Sequence, residues 1–172
     1  MTSQNALVET TEPPAPAIVI DEDTVRIETR FGAMEFQMEN AIYMPRGMLG
    51  YADYHDFGLA NMPDPKLEQF KVLQSLEAPD LSFIVASLNP EGDTIDPADI
   101  REACDLLTID PQKAVVLLVV STRRIGATTQ ISVNVRAPVL VDAATRRAYQ
   151  YVLPNNSYSV RQVIGVAGPQ AD

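Results

Sequence analysis

From Val25 onward the chain is patterned mainly with a period of two. Val25, Ile27, Thr29 and Phe31 alternate with Arg26, Glu28 and Arg30, as expected of a strand that buries one face. Gly32-Ala33 reverses the chain, and Met34, Phe36 and Met38 alternate back, which predicts a hairpin. Further strands are expected at Phe70–Ser75 and Leu81–Ser87, separated by the turn residues Glu77-Ala78-Pro79-Asp80. Ala114–Ser121 is a β-branched run suited to a central strand, and Thr128–Val135 alternates. Pro138–Asp142 and Arg147–Leu153, joined by Ala143-Ala144-Thr145-Arg146, predict another hairpin. Ile42–Tyr54 and Asn61–Lys66 read as loops.

In one segment the period changes. Asp96 is a good N-cap, Pro97 suits the first helical position and Asp99 falls three residues after the cap. Ile100, Ala103, Cys104 and Leu107 then form one apolar stripe, which predicts a short amphipathic helix over about 96–107. Cys104 lies on that stripe and reads as core packing rather than a reactive thiol. About eight or nine strands and one helix point to a mainly β fold, an antiparallel β-barrel-like single domain. Residues 1–21, with Thr10-Thr11-Glu12-Pro13-Pro14-Ala15-Pro16, read as a disordered acidic, Pro-rich tail in which Ile18-Val19-Ile20 could dock as an edge strand. The β domain then covers 22–164, and 165–172 reads as a frayed C-terminus.

Charge adds a second pattern. The 172 residues carry a net charge of −10, but residues 1–112 hold 6 Lys/Arg against 21 Asp/Glu while residues 113–172 hold 7 against 2. The acidic first part favours a basic partner and repels phosphate backbones; plain solubility is the competing reading. Arg123-Arg124, Arg136, Arg146-Arg147 and Arg161 could form a basic patch, but no aromatic RNA-binding motif accompanies them. Direct nucleic-acid binding is therefore not expected.

Catalysis finds little support. His55 is the only imidazole and lies in a Tyr54-His55-Asp56 loop with no nucleophile motif nearby. One Cys and one His cannot build a His/Cys zinc site within one chain, which leaves only an oxygen-ligand site for a harder cation, and one cysteine allows no intrachain disulfide, in keeping with a reducing compartment. Phosphate-binding glycine loops are absent, and Gly47-Met48-Leu49-Gly50 reads instead as a turn that approaches another backbone closely. No basic residue precedes Arg26 and no apolar run reaches membrane-spanning length, so neither a secretory signal nor a membrane partner is expected. The expected molecule is a cytoplasmic, non-catalytic binding protein without metal or cofactor. An enzyme or small-ligand barrel would instead need a deep, polar-lined pocket.

Four segments in order across residues 24–162 resemble the flagellar assembly factor family, FliW. They are Thr24–Gly32, the loop Met44-Pro45-Arg46-Gly47-Met48-Leu49-Gly50-Tyr51, the stretch Leu73-Gln74-Ser75-Leu76-Glu77-Ala78-Pro79-Asp80-Leu81-Ser82-Phe83, and Val133-Asn134-Val135-Arg136-Ala137-Pro138 with Tyr158-Ser159-Val160-Arg161. Val72 stands where the family often has an aromatic residue, Val135 where leucine is common, and the N-terminal tail is longer than usual. The resemblance implies a cytoplasmic module that binds flagellin before export and also binds the basic, RNA-binding translational repressor CsrA, coupling flagellin export to its synthesis. Candidate protein-binding residues are then Met44, Pro45, Met48, Leu49, Tyr51, Asn134, Pro138, Tyr158 and Arg161. The loop side chains form an apolar groove or else plug the barrel end; Asn134 and Pro138 contact a partner or shape strand ends. Asp99, Glu102 and Asp105, within an acidic stretch that begins at Glu91 and Asp93, are the candidates to face a basic partner.

Overall fold

The computed structural model describes residues 18–19, 22–88 and 94–168. Strand β1 (Ile18–Val19) pairs with β2 (Thr24–Thr29), which turns into β3 (Gly32–Gln37). The register sets Val25 beside Phe36 and Ile27 beside Met34 on the buried face. Then follow β4 (Ile42–Tyr43), β5 (Asp56–Asn61), β6 (Phe70–Ser75) and β7 (Ser82–Ser87). Helix α1 (Pro97–Leu107) precedes β8 (Ala114–Ile125), β9 (Thr128–Val133), β10 (Val139–Asp142), β11 (Ala148–Gln150) and β12 (Gln162–Ala167).

An antiparallel sheet runs in the order β11-β10-β8-β7-β6-β5-β4. It curls until its two ends meet, where Tyr43 N–H donates to Arg146 O at 2.9 Å and Tyr43 bridges Arg147. One bridge is not a ladder, so the sheet is barrel-like without closing. The far half of β8 leaves this sheet and pairs with β9, which pairs with β12, giving a three-stranded ribbon.

The interior of the curl is filled by Met44, Met48, Phe57, Leu73, Leu117 and Val139, each a side chain whose burial contributes about 1.5–3 kcal/mol. The β2–β3 hairpin packs Ile27 and Phe36 onto Val72 of β6. Helix α1 lays Ala103 and Cys104 over Leu140 on the outer side of the sheet. The helix begins as its sequence predicts, with Asp96 Oδ1 accepting from Ala98 N–H at 2.9 Å and Pro97 in the first turn. It stops at Thr108, whose φ of 59° leaves the helical region. Burial pushes the Cys104 thiol up, in keeping with its place in the core.

Four elements differ from the sequence reading. Strand β4 forms at Ile42–Tyr43, inside the expected loop Ile42–Tyr54, because it pairs with β5. Strand β5 forms where no strand is expected, because Gly58 breaks its β-pattern. That glycine is dictated by packing: a Cβ there would stand 2.2 Å from the Phe36 ring of the hairpin. Strand β8 extends to Ile125, beyond the expected Ser121. Gly165, Val166 and Ala167 lie in β12, where a frayed end is expected from Gly165 onward. In the N-terminal tail, Ile18–Val19 pairs as an edge strand, while residues 1–17, 20 and 21, like 169–172, lie outside the described residues. The two departures from the family pattern, Val72 and Val135, are both fully buried core residues.

Candidate functional site

The loop between β4 and β5 is built around two buried methionines and one glycine. Met44 is 0% and Met48 2% exposed, so both plug the interior of the curled sheet rather than line a groove. Gly47 has φ +62°, and a Cβ there would lie 2.3 Å from Tyr51 O; the loop closes on itself as Gly47-Met48-Leu49-Gly50 predicts. Tyr51 N–H donates to Met48 O at 2.8 Å. Pro45 is half-buried. What reaches solvent is Leu49, 55% exposed, and Tyr51, 42% exposed, whose ring meets Phe83 edge-on with centroids 5.4 Å apart.

Both flanks of the loop are braced. Met44 N–H donates to His55 O at 2.7 Å, and the His55 ring returns the bond, Nδ1–H donating to Met44 O at 2.9 Å. His55 N–H donates to Glu77 Oε2 at 2.9 Å, so the only imidazole is a structural clamp in this loop. Asp56, next to it, has its carboxyl pushed up by burial and then by the neighbouring Glu77 carboxylate. On the other side Leu49 N–H donates to Gln150 Oε1 at 2.9 Å, tying the loop to β11.

Beside the loop lies a set of residues that the sequence reading did not bring together, Arg147 having been read there as part of a possible basic patch. The Arg147 guanidinium sits 5.6 Å from the Tyr43 ring centre, and Arg46 sits 5.4 Å from that of Tyr149. Arg46 and Leu49 belong to one loop, which meets β11 through the Tyr149 ring and the Gln150 side chain. The period-two spacing of Arg147 and Tyr149 marks them as same-face neighbours, but their contact with Tyr43 and Arg46 depends on the meeting of the sheet ends. That meeting is invisible in sequence.

The Gln74-Ser75 motif proves architectural. Gln74 is fully buried, and its Nε2 lies within hydrogen-bond reach of four carbonyl oxygens, those of Ser75, Ala78, Pro79 and Leu81, at 3.0–3.3 Å. Ser75 Oγ accepts from Glu77 and Ala78 N–H. Asn134 Oδ1 accepts from Ala137 N–H at 3.0 Å and turns the chain out of β9. Pro138 is buried and its carbonyl accepts from Tyr151 N–H. Tyr158 holds α1: its hydroxyl accepts from Asp96 N–H at 3.0 Å and donates to Asp99 Oδ2. The Arg161 side chain is exposed. Asp99 is thus engaged, whereas Glu102 and Asp105 face solvent with no ion pair among the described residues. Glu91 and Asp93 lie outside the described residues.

The three cavities described are of about 370–400 Å³, and neither Met44 nor Met48 lines any of them. One, between α1 and β8, is lined by apolar residues such as Leu88, Ile95, Ile100 and Val116; another, beside the meeting sheet ends, includes Asp142 and Arg146. No group of three or more His, Cys, Asp or Glu among the described residues could hold a metal ion, and none of the described helices is long and apolar enough to cross a membrane.

A family profile described as "FliW protein" matches residues 26–164. The chain belongs to the FliW family. It is 34% identical over 140 residues to the "Flagellar assembly factor FliW" of Syntrophotalea carbinolica, covering 78% of this chain and 94% of that one. The protein of the same description from Bdellovibrio bacteriovorus is 33% identical over 142 residues, covering 79% and 76%. A crystal structure of a flagellar assembly factor FliW aligns with a TM-score of 0.62 at 19% identity, covering 80% of this chain and 95% of that one. The curled sheet with helix α1 on its outer side is thus the FliW fold, and the role in flagellar assembly follows from the family.

Proposed function

We propose that the chain works in the cytoplasm as a non-catalytic binding protein that holds flagellin before export and, when free of flagellin, sequesters the RNA-binding translational repressor CsrA. Membership of the FliW family over residues 26–164 is the observation that carries this reading. Two features of the surface support it. Leu49 and Tyr51 stand exposed on a loop whose backbone is fixed by Gly47, His55 and Gln150, a rigid apolar contact suited to an amphipathic segment such as a flagellin end. Glu102 and Asp105 on the exposed side of α1 give the negative surface that a basic repressor would meet.

Calorimetric titration with monomeric flagellin, and separately with CsrA, at low and high salt tests both halves. Flagellin binding that weakens in Leu49→Ser, and CsrA binding that weakens with salt and in Glu102→Lys/Asp105→Lys, are the expected results. A folded protein that binds neither partner would refute the reading.

A further inference from the structure

The surface along β11 has a composition that the loop's apolar contact does not explain. Arg46 and Arg147 are exposed, and neither lies within ion-pair distance of a carboxylate among the described residues. Each instead rests near an aromatic ring, Arg147 by Tyr43 and Arg46 by Tyr149. A guanidinium held beside a ring has lost much of its rotational freedom while its donor edge remains available. The rings are themselves fixed, because Tyr43 N–H bonds Arg146 O across the meeting sheet ends and Tyr149 packs on the cluster beneath α1. Leu49, 55% exposed, lies three residues from Arg46 in the same loop, which its N–H ties to Gln150 of β11, and Tyr43 is 42% exposed.

Tyrosine and arginine are the residue types that dominate protein interfaces energetically. A pre-set guanidinium edge matches a carboxylate in two parallel hydrogen bonds. We infer that Tyr43, Arg46, Leu49 and Arg147 form a docking surface for a polypeptide segment that presents carboxylates next to a bulky apolar side chain. The carboxylates pair with Arg46 and Arg147, and the apolar side chain covers Leu49 and the open part of Tyr43. RNA is the other anion that arginines attract. A polypeptide is the fitting occupant, because the chain's net charge of −10 repels an extended phosphate backbone. The inference stands apart from the flagellin reading, since it concerns the chemistry of the bound segment and not its source.

An array of short synthetic peptides tests it, each carrying a leucine–phenylalanine pair flanked by glutamate, glutamine or lysine, probed with the labelled full chain. Retention on the glutamate set alone is expected, lost at high salt and at least about tenfold weaker for Arg46→Gln/Arg147→Gln. Arg46→Lys/Arg147→Lys should recover only part of it, because lysine keeps the charge without the fork. Melting curves establish that each variant folds, and Leu49→Ser supplies a second test at a side chain that is more than half exposed. Equal retention of glutamine and glutamate peptides, preference for lysine, indifference to the arginine variants, or no retention at all would each overturn the inference. So would retention of a short polyuridine by the same arginines in place of the peptides.

Discussion

The loop from Tyr43 to His55 and the helix α1 both present side chains to solvent, yet they are held in unlike ways. The loop is fixed from within: Met44 and Met48 fill the interior, Gly47 permits the tight closure, and bonds from His55 and to Gln150 brace the flanks. Helix α1 rests on the outside of the sheet through a narrow apolar stripe, and its first turn is pinned by one tyrosine hydroxyl. The exposed charges also differ in sign, arginines beside the loop and carboxylates on the helix. A rigid positive surface and a lightly held negative one therefore sit on one chain.

The most disruptive way to break this contrast is Gly47→Val. A side chain at φ +62° against Tyr51 O should cost about 3 kcal/mol or more, read as a lower denaturation midpoint. Gln74→Leu should cost about 2–3 kcal/mol, because the carbonyls gathered around its Nε2 would lose their buried donor. Hydrogen exchange in that variant should quicken around residues 75–81 and leave α1 unchanged.

Tyr158→Phe probes the other side of the comparison, with an expected loss of about 1–2 kcal/mol and faster exchange at the start of α1 only. Burial and its bond to Asp99 push the Tyr158 hydroxyl above the ordinary tyrosine range. Its folded-state pKa being raised, the stability it lends is present below that range and is lost as pH rises through the folded value. The wild type should therefore lose its advantage over Tyr158→Phe in alkali, a convergence that melting curves across pH would display. The smallest effect belongs to Asp56→Asn. The Asp56 carboxyl is also raised, so its ionisation costs stability as pH rises past the ordinary aspartate range. The variant should be about half a kcal/mol more stable than wild type at neutral pH and equal to it in acid.

The helix and the β2–β3 hairpin were fully legible because their signals are local: a cap, a proline and a stripe for one, alternation around Gly32 for the other. Strand β5 was not, since Gly58 satisfies Phe36 from another sheet rather than its own strand. Strand β12 was missed because Gly165 reads as a chain end, whereas a register shift between Val163 and Gly165 accommodates it in the ribbon. Among the candidate site residues, the sequence could not separate builders from presenters. Met44, Met48 and Pro138 are buried, and Asn134 and Tyr158 bond backbone groups; Leu49, Tyr51, Glu102 and Asp105 remain outward. Short motifs of turn residues fix the course of the backbone, and that is why they stand out. The pairing of Arg147 with Tyr43, and of Arg46 with Tyr149, was not legible because residues a hundred positions apart in the chain become neighbours only after the sheet curls.

That meeting point is a seam. Every other junction between neighbouring strands of the curled sheet is a ladder of two or more residue pairs, while this one is a single bridge between Tyr43 and Arg147. The seam is where the shell can part with least loss, so the Tyr43 amide should exchange with solvent earlier than those of β6 and β7. Anything that grips Tyr43 on one bank and Arg147 on the other would lace the seam shut, and bound chain should show that amide protected.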